Sequence, residues 1–258
     1  MTIIQSVILG VVEGVTEFLP ISSTGHMILA SKLMGIAQTD FLKSFEIIIQ
    51  FGAILAIVVL YWKRIWHSKD LWKKVLVAFL PTAVIGFLLY KVLKNYLLSN
   101  VAIVLWSLFL GGIILILFEM WYARRPQHGA QELSYKKSFW TGIWQSLAII
   151  PGVSRSGATI VGGMAMGIER RAIVEFSFLL AIPTLAAASG YDLLKSGASF
   201  SQSQIYLLIL GFVVSFIVAM ATIKWFVGYI QTHSFISFGV YRIAVALLFW
   251  LLVIQLKI

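Results

Sequence analysis

Apolar runs of about twenty residues recur along the chain, separated by short polar segments. A helix of roughly 20 residues crosses the hydrocarbon core of a bilayer, whereas the strands of a membrane β-barrel are about half as long and alternate apolar with polar residues. The runs do not alternate, so they are predicted to be transmembrane α-helices. The six predicted spans are 41–62, 75–95, 101–122, 172–191, 204–224 and 236–256.

Two further apolar segments, 2–36 and 139–168, are interrupted by Pro, Gly, Ser and Thr. A broken helix with polar contents is tolerated at membrane depth only where it is buried in protein or lines a water-filled cavity. We therefore predict that each segment is a re-entrant helical hairpin, which enters and leaves on the same side of the membrane.

The chain also contains an internal repeat. The stretch LPISSTGHMILASKLMGI at 19–36 aligns with PGVSRSGATIVGGMAMGI at 151–168 at an offset of 132 residues, and the same offset pairs Glu13 with Gln145. Each half then has one hairpin followed by three spans, which gives the halves opposite orientations. This is the inverted-topology plan, in which a site forms between broken helices near the midplane.

The predicted organisation is therefore a single membrane domain, 1–258, that consists of two repeats. The first repeat covers 1–122, the polar stretch 123–138 serves as a linker, and the second repeat covers 139–258.

The composition agrees with this assignment. Of the 258 residues, 60% are hydrophobic and 12% are charged, against about 45–50% and about 25% in soluble domains. The fold class is therefore predicted to be an all-α integral membrane protein. The sequence contains no cysteine, which excludes disulfides, thiolate nucleophiles and thiolate metal sites.

The formal net charge of +10 is explained by a positively charged cytoplasmic face. No basic patch interleaved with aromatic residues is present, so nucleic acid is not an expected partner. Most Lys and Arg fall on one predicted side of the membrane, which places both termini outside. The residues on that side are Lys63, Arg64, Lys69, Lys73, Lys74, Arg124, Arg125, Lys136, Lys137, Arg170, Arg171 and Lys224.

The first hairpin contains the densest group of chemically active residues, EGVTEFLPISSTGH at 13–26. Glu13 and Glu17 are four residues apart, so on a helix they share a face and are predicted to hold a hard divalent cation. After Pro20 a new helix begins, whose free N–H groups favour an anion. His26 is within reach of the serine hydroxyls of that helix start, and a serine beside a histidine is a minimal activated nucleophile.

The second hairpin supplies Arg155, whose planar guanidinium suits phosphate. A hydroxyl nucleophile, a base, a carboxylate pair and an arginine together indicate hydrolytic phosphoryl transfer. The predicted catalytic residues are Glu13, Glu17, Ser23, His26 and Arg155. The residues predicted to bind substrate are Ser22, Thr24, Gly25, Ser154, Arg155, Ser156, Gly157 and Thr159.

Structural roles compete with these assignments. Ser22 is as well suited to cap a helix as to attack phosphorus, and Ser23 is therefore preferred as the nucleophile. The two glutamates could form a buried structural pair, and Arg155 could serve only to neutralise them. Ser154, Ser156 and Thr159 could form caps or interhelical hydrogen bonds.

The motifs EGVTEFLPISSTGH and PGVSRSGATI closely resemble the paired signatures of the undecaprenyl-diphosphatase family, the bacitracin-resistance type of bacterial membrane phosphatase. The resemblance extends over nearly the whole chain. It implies removal of the terminal phosphate from undecaprenyl diphosphate, which regenerates the carrier lipid for peptidoglycan. It also implies a divalent cation, Mg²⁺ or Ca²⁺, and an active site that opens to the outer face of the bacterial cytoplasmic membrane.

Several alternatives remain open at this point. Inverted repeats with broken helices are also typical of transporters, so a polyprenyl-phosphate flippase or a transporter is the competing function. Within the phosphatase hypothesis, Ser23 either forms a covalent phosphoserine or only binds phosphate while water attacks directly. Besides the polyprenyl diphosphate and membrane lipids, a second copy of the chain is a further partner that glycine-rich helix faces would permit.

Overall fold

The computed structural model describes residues 1–92, 100–124, 132–196 and 200–256. Within these ranges the chain forms ten α-helices and no strand, which confirms the all-α prediction. The helices are α1 (Ile3–Thr16), α2 (Ser23–Leu33), α3 (Asp40–His67), α4 (Lys69–Val92), α5 (Val101–Ala123), α6 (Tyr135–Ser146), α7 (Arg155–Ala165), α8 (Arg170–Ser196), α9 (Gln202–Tyr229) and α10 (Ile236–Leu256).

Five of the described helices, α3, α4, α5, α8 and α9, are long and apolar enough to cross a membrane. The sixth predicted span coincides with α10, which is apolar over Ile236–Leu252. The protein is thus a multi-pass membrane protein, and the exact number of six spans stays a prediction. Residues 93–95 of the second predicted span, and 125–131 of the predicted linker, lie outside the described residues.

The two interrupted segments each form two short helices joined by a turn. Hydroxyl side chains start all four helices: Thr2 caps α1, Ser22 caps α2, Ser134 caps α6 and Ser154 caps α7. Because Ser134 caps it, α6 begins at Tyr135, which is earlier than the predicted hairpin boundary of 139. The breaks in apolar pattern therefore correspond to real interruptions of the helix.

The helices of the two segments pack against long helices from the opposite end of the chain. Helix α1 lies against α9 and α6 lies against α4, while α3 contacts α8 and α5 contacts α10. Glycine permits the closest of these crossings. A Cβ at Gly10 would meet the Gly211 carbonyl of α9 at 2.8 Å, and a Cβ at Gly142 would overlap the Ala78 carbonyl of α4.

The largest apolar core is shared by both ends of the chain, since Phe18, Phe178 and Phe235 belong to one buried cluster. Outside this core the helices expose large apolar side chains, such as Phe87 at 74% and Ile114 at 58%. Contiguous apolar surface of this kind is unfavourable in water. It is the surface expected of helices in contact with lipid.

We expect Gly142→Ala to destabilise the protein by about 1–3 kcal/mol, because the added methyl group overpacks the α4–α6 crossing. Gly228→Ala is the matched control, since no atom lies within 4 Å of a Cβ built at Gly228. The control should be neutral or up to about 1 kcal/mol more stable through helix propensity. Thermal unfolding in detergent measures both variants, and equal stability of the two would contradict the described crossing.

Candidate active site

Two serines with an unusual backbone conformation form the turns of the two broken segments. Ser22 has φ 71° and Ser154 has φ 77°, and they are the only non-glycine residues with positive φ in the described ranges. Such conformations cost of order 1–3 kcal/mol and concentrate at functional sites. Each serine also caps the helix that follows: Ser22 Oγ accepts from the Gly25 N–H at 3.4 Å, and Ser154 Oγ accepts from the Gly157 N–H at 3.1 Å.

Glu17 joins the two turns. Its Oε2 accepts a 2.5 Å hydrogen bond from the Ser23 hydroxyl, and its Oε1 accepts a 2.9 Å hydrogen bond from Arg155 Nη2. The side chains of this ion pair are only 4% and 9% exposed. The structure therefore brings together three of the predicted catalytic residues, from both hairpins, at one place.

Arg155 is held on its other side by α8. Its Nη1 donates to the Ser177 carbonyl at 2.8 Å, and its guanidinium lies 5.8 Å from the centre of the Phe18 ring. The Nε–H is buried and has no hydrogen-bond partner. The protein thus does not use all the donors of this cation.

Glu13 lies one turn before Glu17 on α1 and is 1% exposed, with no hydrogen-bond partner at either carboxylate oxygen. It is within electrostatic range of Glu17, Glu46 and Arg155. Unsatisfied buried carboxylate oxygens are rare and fit a site that takes up a cation. In the described part of the chain no group of three or more His, Cys, Asp or Glu lies close enough together to hold a metal ion by itself.

His26 differs from the sequence-based expectation in its contacts. Its Nδ1 is 2.8 Å from the Ser22 carbonyl oxygen and therefore donates to it, while the Tyr241 hydroxyl is 2.9 Å from Nε2. The two rings are also stacked. Neither ring nitrogen is bonded to a serine hydroxyl, because the imidazole turns toward α10 and Glu17 already accepts the Ser23 hydroxyl.

Ser156 and Thr159, both predicted to bind phosphate, are fully buried behind the second turn. The Ser156 hydroxyl donates to the Leu19 carbonyl of the first turn at 2.7 Å. The Thr159 hydroxyl is 2.6 Å from the Ser177 hydroxyl. These side chains join the hairpins to each other and to α8, which is the competing structural role.

A cavity of about 460 Å³ lies beside the ion pair. Its polar end includes the predicted residues Ser22, Ser23, Thr24, Ser154 and Arg155, together with Glu17. Its other end is largely apolar and is formed by α4 and α8. The residues of that end are Phe79, Ala83, Gly86, Phe87, Leu185, Ala187, Ala188 and Tyr191.

Gln145 also lines this cavity. In the sequence it was noted only because it aligns with Glu13 in the internal repeat. Its Nε2 donates to the hydroxyls of Thr82 at 2.9 Å and Thr184 at 3.1 Å, and its Oε1 is buried without a partner. Both threonines also line the cavity, and each directly follows the proline inside its helix, Pro81 in α4 and Pro183 in α8.

Arg242 was also not foreseen. It is 2% exposed on α10, beneath both turns. A signal was present, since it is the only charged residue inside the apolar run 236–256. An ionisable residue at such a position is a functional hypothesis by default.

Comparison with known proteins identifies the family to which the chain belongs. The family described as "Bacitracin resistance protein BacA" matches residues 6–248. The undecaprenyl-diphosphatase of Aquifex aeolicus is 53% identical over 250 residues, which cover 96% of this chain and 98% of that protein. The undecaprenyl-diphosphatase of Persephonella marina is 48% identical over 257 residues, which cover 98% and 100%.

A third relative, the undecaprenyl-diphosphatase of Bdellovibrio bacteriovorus, is 49% identical over 254 residues, covering 98% of this chain and 96% of that protein. The resemblance carried by the two motifs is thereby confirmed over nearly the full length. The chain belongs to the family of the bacitracin resistance protein BacA.

Proposed function

We propose that this protein removes the terminal phosphate from undecaprenyl diphosphate in the bacterial inner membrane, which regenerates the monophosphate carrier for peptidoglycan synthesis and gives resistance to bacitracin. The observation that carries the proposal is the Glu17–Ser23–Arg155 arrangement at the polar end of a cavity whose other end is apolar. Such a cavity matches a diphosphate attached to a prenyl chain. The full-length relatives bear the name of this activity.

In the proposed reaction Arg155 and the N–H groups at the start of α2 hold the diphosphate. Ser23 Oγ forms a bond to the terminal phosphorus, its proton passes to Glu17 Oε2, and the bond from that phosphorus to the bridging oxygen breaks. Glu17 returns the proton to the departing prenyl phosphate. Water then attacks the phosphoserine and gives one proton to Glu17, which passes it to Ser23 Oγ as the Oγ–phosphorus bond breaks, so that phosphate leaves and the serine hydroxyl is restored.

The alternative in which water attacks directly keeps the same residues but leaves Ser23 as a phosphate ligand. His26, predicted as the base, would need to break its bonds to the Ser22 carbonyl and Tyr241 to reach the Ser23 hydroxyl. Glu17 occupies that place in the described structure. We therefore propose Glu17 as the base and His26 as a residue that orients the first turn.

We expect Ser23→Ala and Glu17→Gln each to reduce phosphate release from a prenyl diphosphate by roughly 10²–10⁴-fold, the range for loss of an acid–base or nucleophilic group. His26→Gln retains an N–H donor and should reduce the rate of phosphate release by about tenfold or less. The matched control is Ser31→Ala on the same helix, whose hydroxyl bonds only to the Ile28 carbonyl and to the Gln38 side chain.

The pH profile of kcat distinguishes the two candidate bases. His26→Gln should keep the wild-type profile, because the histidine does not exchange the serine proton. If His26→Gln is as inactive as Ser23→Ala, or if it alone removes the acidic limb, histidine is the base. Rapid-quench trapping of phosphorylated Ser23 separates covalent from direct hydrolysis.

A flippase with this fold would bind the lipid phosphate without releasing phosphate. The hydrogen bond from Ser23 to Glu17 favours the enzyme, because a carrier has no need of an activated hydroxyl. If purified wild-type protein moves prenyl phosphates across vesicles and releases no phosphate, the carrier interpretation is right.

We further propose that Glu13 and Glu17 hold a divalent cation, Mg²⁺ or Ca²⁺. The unpartnered oxygens of Glu13 fit this group, and Mg²⁺ in particular is bound through one or two carboxylates together with substrate phosphates. When bound, such an ion neutralises charge on the phosphate oxygens. Of the two glutamates only Glu17 lines the cavity, and the buried Glu13 would be the second carboxylate that holds the ion.

Removal of divalent ions with EDTA should abolish phosphate release, and added Mg²⁺ or Ca²⁺ should restore it. Glu13→Gln should raise the ion concentration for half-maximal rate by about tenfold or more, since one charged ligand is lost. Asp40→Asn, at an exposed carboxylate on α3, is the control. Binding of Mn²⁺, measured by its electron paramagnetic resonance, should weaken in the Glu13 variant only; equal Mn²⁺ affinity would contradict the assignment.

The apolar end of the cavity is proposed to take the first isoprene units of the lipid. Ala83→Trp would fill this end and should raise KM at least several-fold for a long-chain prenyl diphosphate. Leu88→Trp, on the opposite face of α4 and 71% exposed, serves as the control. Equal KM values for the two variants would show that the tail lies elsewhere.

We also propose that the chain has the topology of two inverted repeats with re-entrant hairpins. An active site that opens to the outer face of the membrane and a homodimer are further parts of the proposal. Two observations support the repeat. Ser22 and Ser154, the two serines with positive φ, are 132 residues apart, and α1 and α6 begin at the same offset. Support for a single domain comes from the core that both halves share.

A further inference from the structure

Arg242 makes an unusually complete set of hydrogen bonds. All five guanidinium N–H groups, the full donor capacity of an arginine, point at backbone carbonyl oxygens between 2.8 and 3.3 Å away. The acceptors are the carbonyls of Pro20, Ser107, Leu108, Gly152 and Val153. Arg242 therefore has no donor left for a substrate.

Three of these carbonyls, those of Pro20, Gly152 and Val153, lie directly before the two serines with positive φ. Pro20 precedes Ser22 by two residues, and Val153 immediately precedes Ser154. One nitrogen, Nη1, donates to both Pro20 and Val153, at 3.1 and 3.0 Å. A single rigid group thus sets the spacing between the turn that leads to Ser23 and the turn that leads to Arg155.

The remaining donors fix the guanidinium itself to α5. The carbonyls of Ser107 and Leu108 accept from Nη2 and Nε at 2.8 and 3.3 Å. Space for the group exists because Gly111 has no side chain, and a Cβ there would overlap Nη2. The position of the arginine is therefore set by two helices, α5 and α10.

The burial of the Arg242 charge without an ion-pair partner indicates that this residue does more than stabilise the fold. Among the described ion pairs none includes Arg242, although the residue is 2% exposed. A buried charge of this kind is expensive, and apolar residues of similar volume often stabilise a protein as well or better. What an apolar residue could not do is hold five carbonyls at fixed directions.

We propose that Arg242 is a positioning residue for phosphoryl transfer: it fixes the two turns so that the Ser23–Glu17 pair and Arg155 meet around one phosphorus. This inference rests on the proposed function, because it concerns the geometry of that reaction. Arg242 acts through the backbone and does not contact the substrate. Displacement of catalytic groups by about 1 Å can cost about 10²-fold in rate.

The main variant is Arg242→Lys, which keeps the charge but offers three donors from one point instead of a planar fork. We expect kcat for prenyl diphosphate hydrolysis to fall about 10²-fold, while KM changes less than about threefold. Inhibition by orthovanadate, which mimics the transition state, should weaken in parallel with kcat, since the lost interaction matters mainly in the transition state.

A pair of glycines in the α5–α10 interface provides a second test that leaves Arg242 in place. Gly111→Ala pushes directly on the guanidinium, whereas Gly239→Ala on α10 meets the Ile116 side chain and the Gly112 carbonyl in the same helix interface. Both should lower the unfolding temperature in detergent. Only Gly111→Ala should lower kcat and vanadate affinity per folded molecule.

The outcomes separate this inference from the function on which it rests. A wild-type protein that releases no phosphate overturns the proposed function. If the wild type is active and folded Arg242→Lys has the same kcat and vanadate affinity as the wild type, Arg242 is only structural. If Arg242→Lys does not fold, the glycine pair decides: selective loss in Gly111→Ala supports positioning, and equal behaviour of the two variants overturns it.

Discussion

Two turns of irregular backbone lie inside this membrane protein, and the burial of their polar groups is the constraint on which the rest of the structure depends. The hydrocarbon region offers no water to unpaired N–H and C=O groups, so such backbone survives only where protein satisfies it. Here the serine caps satisfy the N–H groups, and Ser156 and Arg242 satisfy carbonyls of the turns. Several of these bonds run between the two hairpins, so satisfying the backbone also fixes the hairpins together.

The same arrangement explains why the reactive groups meet. Glu17 ends the first helix of one hairpin and Arg155 starts the second helix of the other, and the held turns bring them to 2.9 Å. A buried ion pair is weak evidence for stability, because the desolvation of both charges offsets their attraction. Its more direct consequence is a charged and polar end in an otherwise apolar cavity, in contact with a serine hydroxyl.

The local sequence predicted well which residues each hairpin contains. It predicted poorly the direction in which each side chain points. The four-residue spacing of Glu13 and Glu17 predicted that both share one face of a helix, and the break at Pro20 and the serine start of the next helix were also foreseen. The direction of His26 was not, because its partner Tyr241 is more than two hundred residues away. Nor could local spacing show that Ser156 faces the first turn and Thr159 faces α8, since both faces of a buried helix are covered.

The sequence by itself determined the class of fold, the two broken segments, the family and the residue types needed to handle a phosphate. These follow from hydrophobic period, from proline and glycine, and from motifs that are local in the chain. Only the tertiary structure decided that Glu17 holds the Ser23 hydroxyl, that Arg155 pairs with Glu17, and that Arg242 binds both turns. Glu17 and Ser23 lie on either side of one turn, whereas the contacts of Arg155 and Arg242 join residues far apart in sequence. Hydrogen-bond geometry in a water-free interior is set by the packing of whole helices.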